Sequence, residues 1–187
     1  AREHGLLAFQ GSFMYSLSYL AVYHAESHVP SGLVAVGYSA SPLVNGLGAW
    51  LLWRTPLGGR FVFGGLLCVA GVMLIFAPEF AQVAAGGRTA LGAAFTVAAV
   101  LLSAVGSLAA SRNAANRLPF WSALAWGMGY GAALSCAFVV ASGQRFAWPA
   151  APSWWLSLAF LALPGSVIAF ACFLALQQRI GPGPAST

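Results

Sequence analysis

The chain has 187 residues, of which 60% are hydrophobic and only 6% charged, and its net charge is +5. A soluble domain carries about 25% charged residues, so a soluble fold is excluded. All eight basic residues are Arg, scattered between apolar stretches without forming the basic patch of a nucleic-acid binder.

Six stretches are each long enough to cross a bilayer, for which about 17–25 mostly apolar residues suffice. They cover residues 6–23, 31–53, 61–77, 89–110, 119–141 and 154–176, and none has an internal Arg, Lys, Asp or Glu. A charge at mid-bilayer costs at least about 2.5–3.5 kcal/mol, so this avoidance is a physical signature of spanning. The expected fold is all-α, a polytopic bundle of transmembrane helices.

The first stretch is the most polar, with Gln10, Ser12, Tyr15, Ser16, Ser18 and Tyr19. Tyr15 and Tyr19 lie one turn apart, as do Ser12 and Ser16. Lipid would penalise both pairs, so at least one face lines a cavity. Just beyond, His24-Ala-Glu26-Ser-His28 sets two imidazoles one turn apart. That order differs from the H-E-x-x-H zinc pattern and offers only three ligands. No metal and no cofactor is expected.

The second stretch carries Pro42 near its centre, with Gly37, Ser41, Asn45 and Gly48 at helical spacing around it. Proline removes one intrahelical hydrogen bond and clashes four residues back, which frees the carbonyl of Tyr38. Asn45 is the one carboxamide well inside this stretch. It must face the bundle or a wet cavity, because lipid leaves its donors and acceptor unpaired.

Cys68, Cys136 and Cys172 sit inside the third, fifth and sixth stretches. An odd number at membrane depth reads as small apolar fillers rather than disulfide partners. In the fifth stretch, Trp126-Gly-Met-Gly-Tyr-Gly131 contains the small-residue pair Gly127 and Gly131, a pattern for close helix packing. Trp126 and Tyr130 offer rings on which an apolar solute can stack. The sixth stretch repeats the proline device: Pro164 frees the carbonyl of Phe160, and Gly165 adds local freedom. Helices interrupted near the midplane point to a solute site.

Single crossings put Arg2, Arg54, Arg60, Arg112, Arg117 and Arg179 on one side, against Arg88 and Arg145 on the other. Arg-rich short loops are cytoplasmic, so the first helix starts and the sixth ends inside. Glu26 and Glu79 then fall outside, and Glu3 is near the start of the chain. Eight Arg with no Lys, in an Ala- and Gly-rich chain, suggest a bacterium and hence its inner membrane.

Residues 7–32 and 161–186 align at a fixed offset. Gly11-Ser12 falls on Gly165-Ser166, and Pro30 on Pro184, with Leu7, Ala8, Leu20 and Ala21 also matched. The second copy is the fifth span after the first, so the two cross in opposite directions. Inverted repeats of this kind build secondary transporters. The chain is therefore expected to be an internal piece of a longer protein.

With these motifs in hand, the chain resembles the EamA-type permeases of the drug/metabolite transporter superfamily. Tyr19-Leu-Ala-Val-Tyr-His, Pro30-Ser-Gly-Leu-Val-Ala-Val and Ser39-Ala-Ser-Pro-Leu43 look like the third and fourth helices of that family. Phe63-Gly-Gly-Leu with Gly71-Val looks like the fifth. Ser111-Arg-Asn, Trp126-Gly-Met and Gly165-Ser-Val-Ile-Ala-Phe through Arg179-Ile-Gly look like the sixth to eighth. The resemblance implies a ten-helix fold of two inverted repeats, of which this chain holds helices three to eight. Residues 1–80 would then end the first repeat, 81–88 link the two, and 89–187 begin the second. Relatives often carry Gly-Glu-Arg after the fourth helix, whereas Arg54-Thr55-Pro56 stands here, so no role of that acid transfers.

The expected function is a secondary transporter that moves a small organic metabolite or drug by alternating access. Its expected partners are that solute and the lipid bilayer, with no nucleic acid. An intramembrane lipid-modifying enzyme would need a buried acid, base or metal cluster, and the spans offer none. A non-transporting assembly subunit gives no reason for an inverted repeat. No enzymatic activity is expected. Gln10, Tyr15, Tyr19, Tyr38, Ser41, Asn45 and Trp126 are the expected solute-binding residues, with Pro42, Pro164 and Gly165 shaping the path.

Overall fold

The structure, a computed structural model, describes residues 2–75, 88–116, 118–143 and 148–186. Glu79, Gly86-Gly87, Arg117, Arg145, the linker up to residue 87 and the end of the third stretch lie outside the described residues. Within them every regular element is helical.

The first stretch is one unbroken helical run: α1 (Arg2–Ser12), a π turn (Phe13–Leu17) and α2 (Ser18–Glu26). The second is interrupted, giving α3 (Ser31–Ser39) and α4 (Ser41–Trp53) on either side of Ala40. Pro42 explains the break. Its missing N–H is harmless in the first turn of a helix, so the chain ends α3 and restarts α4 just before it. Arg54 closes α4 with a left-handed backbone (φ 55°), and its guanidinium stands over the Trp50 ring at 5.7 Å.

Next come α5 (Gly59–Ile75), α6 (Arg88–Ala115) and α7 (Phe120–Ala141). The last run comprises α8 (Pro152–Ala162), a second π turn (Leu163–Ile168), α9 (Ala169–Ile180) and the short α10 (Pro182–Ala185). The second π turn forms at Pro164, and the Ser166 hydroxyl donates to the Leu161 carbonyl at 2.9 Å. It thereby takes up a carbonyl beside the lost bond. Three runs, Arg88–Ala115, Phe120–Ala141 and Pro152–Ile180, are long and apolar enough to cross a membrane on length and composition. The 17 residues of α5 reach the lower limit for a span.

Helix α6 is the hub, touching α1, α2, α3, α4 and α9. Its direction relative to the first run is fixed by paired contacts. Asn113 reaches Leu6 and Gln10, Gly106 sits against Met14, and Gly92 against Val29. The two runs are antiparallel. Tyr15 packs on Phe170, with Gln10 and Gln177 at one small cleft, so the first and last runs also oppose each other. One end of the bundle gathers Glu3, Arg112 and Trp53, next to Arg54, with Gln178 beside Arg179. The other end holds Glu26, His28 and Val29.

Polarity is inverted relative to a soluble protein. Gln10 is 1% exposed, and Ser16, Ser18, Asn45, Thr96, Ser107, Asn113 and Gln177 are all buried. Leu51, Leu52, Phe63, Leu74, Val140, Leu156 and Phe160 are exposed on the outside. Such a continuous apolar exterior needs lipid or protein to cover it, and buried side-chain amides hold the interior together.

Candidate functional site

A cavity of about 610 Å³ opens between the first run, α3 and α4, α6 and the last run. Its size suits a small organic molecule. The interruption at Ala40 and the second π turn border it. Tyr38 and Ser41 flank the former, and Gly165 belongs to the latter. The cavity is therefore built where two helices depart from regular geometry.

Of the residues expected from sequence, Tyr19, Tyr38, Ser41, Asn45 and Gly165 line this one cavity. Pro42 is buried behind the wall, and Pro164 faces outward on the last run. Gln10 lies elsewhere. It accepts a hydrogen bond of 2.8 Å from Asn113 Nδ2, at the Arg-rich end, in a cleft shared with Gln177. Tyr15 points between helices, edge-on to Phe170 with centroids 4.8 Å apart. Its buried hydroxyl has no hydrogen-bond partner. Trp126 is half exposed on α7, stacked on Tyr130 and edge-on to His4, away from the cavity.

Sequence reading missed the opposite walls, which come from Ser103 and Ser107 of α6 and from Phe170 and Phe173 of the last run. Their helical spacing was a signal, since 103 and 107 lie one turn apart, as do 170 and 173. It was masked because α6 is apolar on nearly every side. Ser186, just after α10, is a further wall residue that no span contained.

The polar atoms of the cavity divide into paired and unpaired groups. Asn45 Nδ2 donates to Ser186 Oγ at 2.9 Å, and Ser186 Oγ donates to the Pro182 carbonyl at 2.7 Å. Ser18 donates to the Met14 carbonyl at 2.9 Å. Asn45 Oδ1 and Ser41 Oγ, one turn apart, are buried and have no protein partner. Unpaired buried polar atoms are rare and call for an explanation. Residues 2–77 match the EamA-like transporter family. That EamA-type segment holds α1 to α5, hence Tyr19, Tyr38, Ser41 and Asn45 of the cavity wall. No curated protein and no solved structure matches the chain. The matched family is one of transporters, and three helical runs of the described residues are long and apolar enough to cross a membrane.

The small residues of α7 serve packing against the EamA-type first run. A side chain on Gly11 would collide with the Gly127 carbonyl, and one on Gly131 would meet Tyr15 Cβ at 2.7 Å. Across this contact the Ser135 hydroxyl donates to Ser16 at 2.8 Å. The two imidazoles near the Glu26 end are used locally: His24 donates to the Leu20 carbonyl and His28 to that of His24, each at 2.8 Å.

Proposed function

We infer that the protein is a secondary transporter, moving a small organic metabolite or drug through the central cavity by alternating access. One observation carries the reading: Tyr38, Ser41, Asn45 and Gly165 line a single cavity bordered by two interrupted helices. Transporters form their solute sites at such interruptions near the midplane. Both antiparallel runs carry a π turn near the matched Gly-Ser pair, one just after Gly11-Ser12 and the other enclosing Gly165-Ser166. This supports the inverted repeat. The clustering of Arg at one end supports a cytoplasmic location for that end in a bacterial inner membrane.

The test is solute flux in proteoliposomes holding the intact gene product. Efflux of a preloaded solute that accelerates when unlabelled solute is added outside would mark a carrier. Flux equal to that of empty liposomes, over a panel of amines, amino acids, sugars and nucleosides, would reject the reading.

A further inference from the structure

The central cavity is open at one end and blind at the other. Tyr19, Glu26 and Ser31 on its wall are exposed, whereas Asn45, Ser107 and Ala185 on its wall are buried. A second cleft, of about 490 Å³, enters from the Arg-rich end and is lined by Trp53, Ser111, Arg112, Gln177 and Pro182. Successive turns of α6 therefore belong to different spaces, Ser107 to the central cavity and Ser111 to the cleft. The same holds on α9, where Phe173 lines the cavity and Gln177, one turn later, lines the cleft.

One side chain spans the boundary. Gln177 is 4% exposed, and its Nε2 lies 2.7 Å from the Ser107 carbonyl, 2.9 Å from Ser107 Oγ and 2.7 Å from Ser111 Oγ. Two amide protons shared among three oxygens tie α9 to α6 on both sides of the boundary. The Ser107 carbonyl can only accept, which fixes the NH₂ end of the amide towards α6. Beside this tie, α10 rests directly on α4. A Cβ on Gly183 would stand 3.0 Å from Gly46 Cα, and Asn45 Nδ2 donates to Ser186 Oγ. We propose that Gln177 latches a gate, closed in this structure, between the central cavity and the Arg-rich end. Release of its bonds to Ser107 and Ser111 joins the two spaces and lets the solute pass. Hydrogen bonds between membrane helices are individually weak, so such a latch can open and re-form. This rests on the central cavity being the solute path, and it names the residue that closes that path.

Cysteine accessibility tests the gate without solute or flux. The intact gene product, with Cys68, Cys136 and Cys172 replaced by Ala, carries Ser103→Cys on the cavity wall. A membrane-impermeant methanethiosulfonate is applied to right-side-out and to inside-out vesicles. Ser27→Cys and Asn116→Cys, exposed at the two ends of the bundle, establish which vesicle presents which end. Ser103→Cys is labelled at least about tenfold faster from the Glu26 end, because the minor state of a two-state protein is commonly populated at about 10% or less. Gln177→Met keeps the length of the side chain and loses its hydrogen bonds. It raises labelling from the Arg-rich end at least about threefold, as the loss of ordinary interhelical bonds predicts. Ser107→Ala combined with Ser111→Ala does the same. A merely structural role for Gln177 would loosen the whole bundle and also expose Ser16→Cys, which is fully buried outside the cavity. Circular dichroism and gel filtration establish that each variant is folded. Labelling of Ser103→Cys equally fast from both ends, or faster from the Arg-rich end, overturns the proposal. So does an unchanged rate in Gln177→Met, or labelling of Ser16→Cys in that variant. The expected labelling pattern without flux of any solute would instead overturn the transporter reading and leave the gate standing.

Discussion

The carbonyl of Gly127 occupies the space that a side chain on Gly11 would need. Two backbones meet there directly, α1 against α7, and neither can withdraw without parting the helices. Lipid is as apolar as the helix surface, so close van der Waals contact between small residues drives association here.

Gly11→Ala therefore destabilises the bundle by about 1–3 kcal/mol, the usual cost of overpacking a tight contact. Gly129 is the control. It is exposed, and a Cβ built on it meets nothing within 4 Å. Gly129→Ala is expected to be neutral or to stabilise α7 by up to about 1 kcal/mol through helix propensity. Unfolding in a graded detergent mixture measures both. Equal midpoints for the two variants would remove the Gly11–Gly127 contact from the account.

Gln10 separates stability from transport. Its amide is 1% exposed and bonded to Asn113, outside the cavity. Gln10→Leu leaves an Asn113 proton dependent on a long 3.4 Å contact with the Leu6 carbonyl. The expected loss is about 0.5–2 kcal/mol. A double-mutant cycle with Asn113→Leu should give a coupling of about 0.6 kcal/mol, typical of interhelical bonds in membranes. The KM for solute stays unchanged in Gln10→Leu; a large rise would return Gln10 to the site.

The helices were legible because charge is excluded from mid-bilayer, so the ends of apolar stretches can be read from Arg and Glu. The break in the second stretch was legible from Pro42, although it falls at Ala40, since a proline is accommodated inside the first turn of the helix it starts. The π turn at Phe13–Leu17 has no proline and left no such mark. Polarity alone did not sort cavity residues from interhelical ones. Asn45 and Gln10 are both buried carboxamides, yet one faces the cavity and the other faces Asn113. Helix rotation makes that distinction, and α6 hides its rotation because its exposed and its packed faces are both apolar. Trp126 shows the converse, an aromatic ring read as site-lining that sits on the outer face of α7.

Pro164 should be a determinant of the cavity rather than of stability. Pro164→Ala restores the missing N–H and permits regular helix through residues 163–168, which stabilises the run locally. Regular winding changes the phase of Gly165 and of everything after it, turning Phe170 and Phe173 relative to α6. The expected outcome is transport reduced at least about tenfold, as small misplacements at a site can do, with the unfolding midpoint unchanged or raised. Transport at full rate in Pro164→Ala would show that the π turn does not shape the path.

Glu26 bears on energy coupling. Among the described residues, the remaining carboxylate is Glu3 and the imidazoles are His4, His24 and His28, all at helix ends, and Glu26 is exposed at the cavity mouth. None lies at mid-bilayer, where a proton carrier is normally found. An exposed charge at a mouth acts by attraction over about 10 Å at 0.1 M salt, and less at higher salt. Glu26→Gln should therefore raise the KM for a cationic solute severalfold at low ionic strength and by nothing at about 1 M salt, where screening shortens the range to about 3 Å. Exchange of solute across the membrane and any dependence on a pH gradient should be unchanged. Loss of pH-gradient dependence in Glu26→Gln, with exchange retained at every salt concentration, would identify Glu26 as the proton carrier and overturn its assignment as a steering charge.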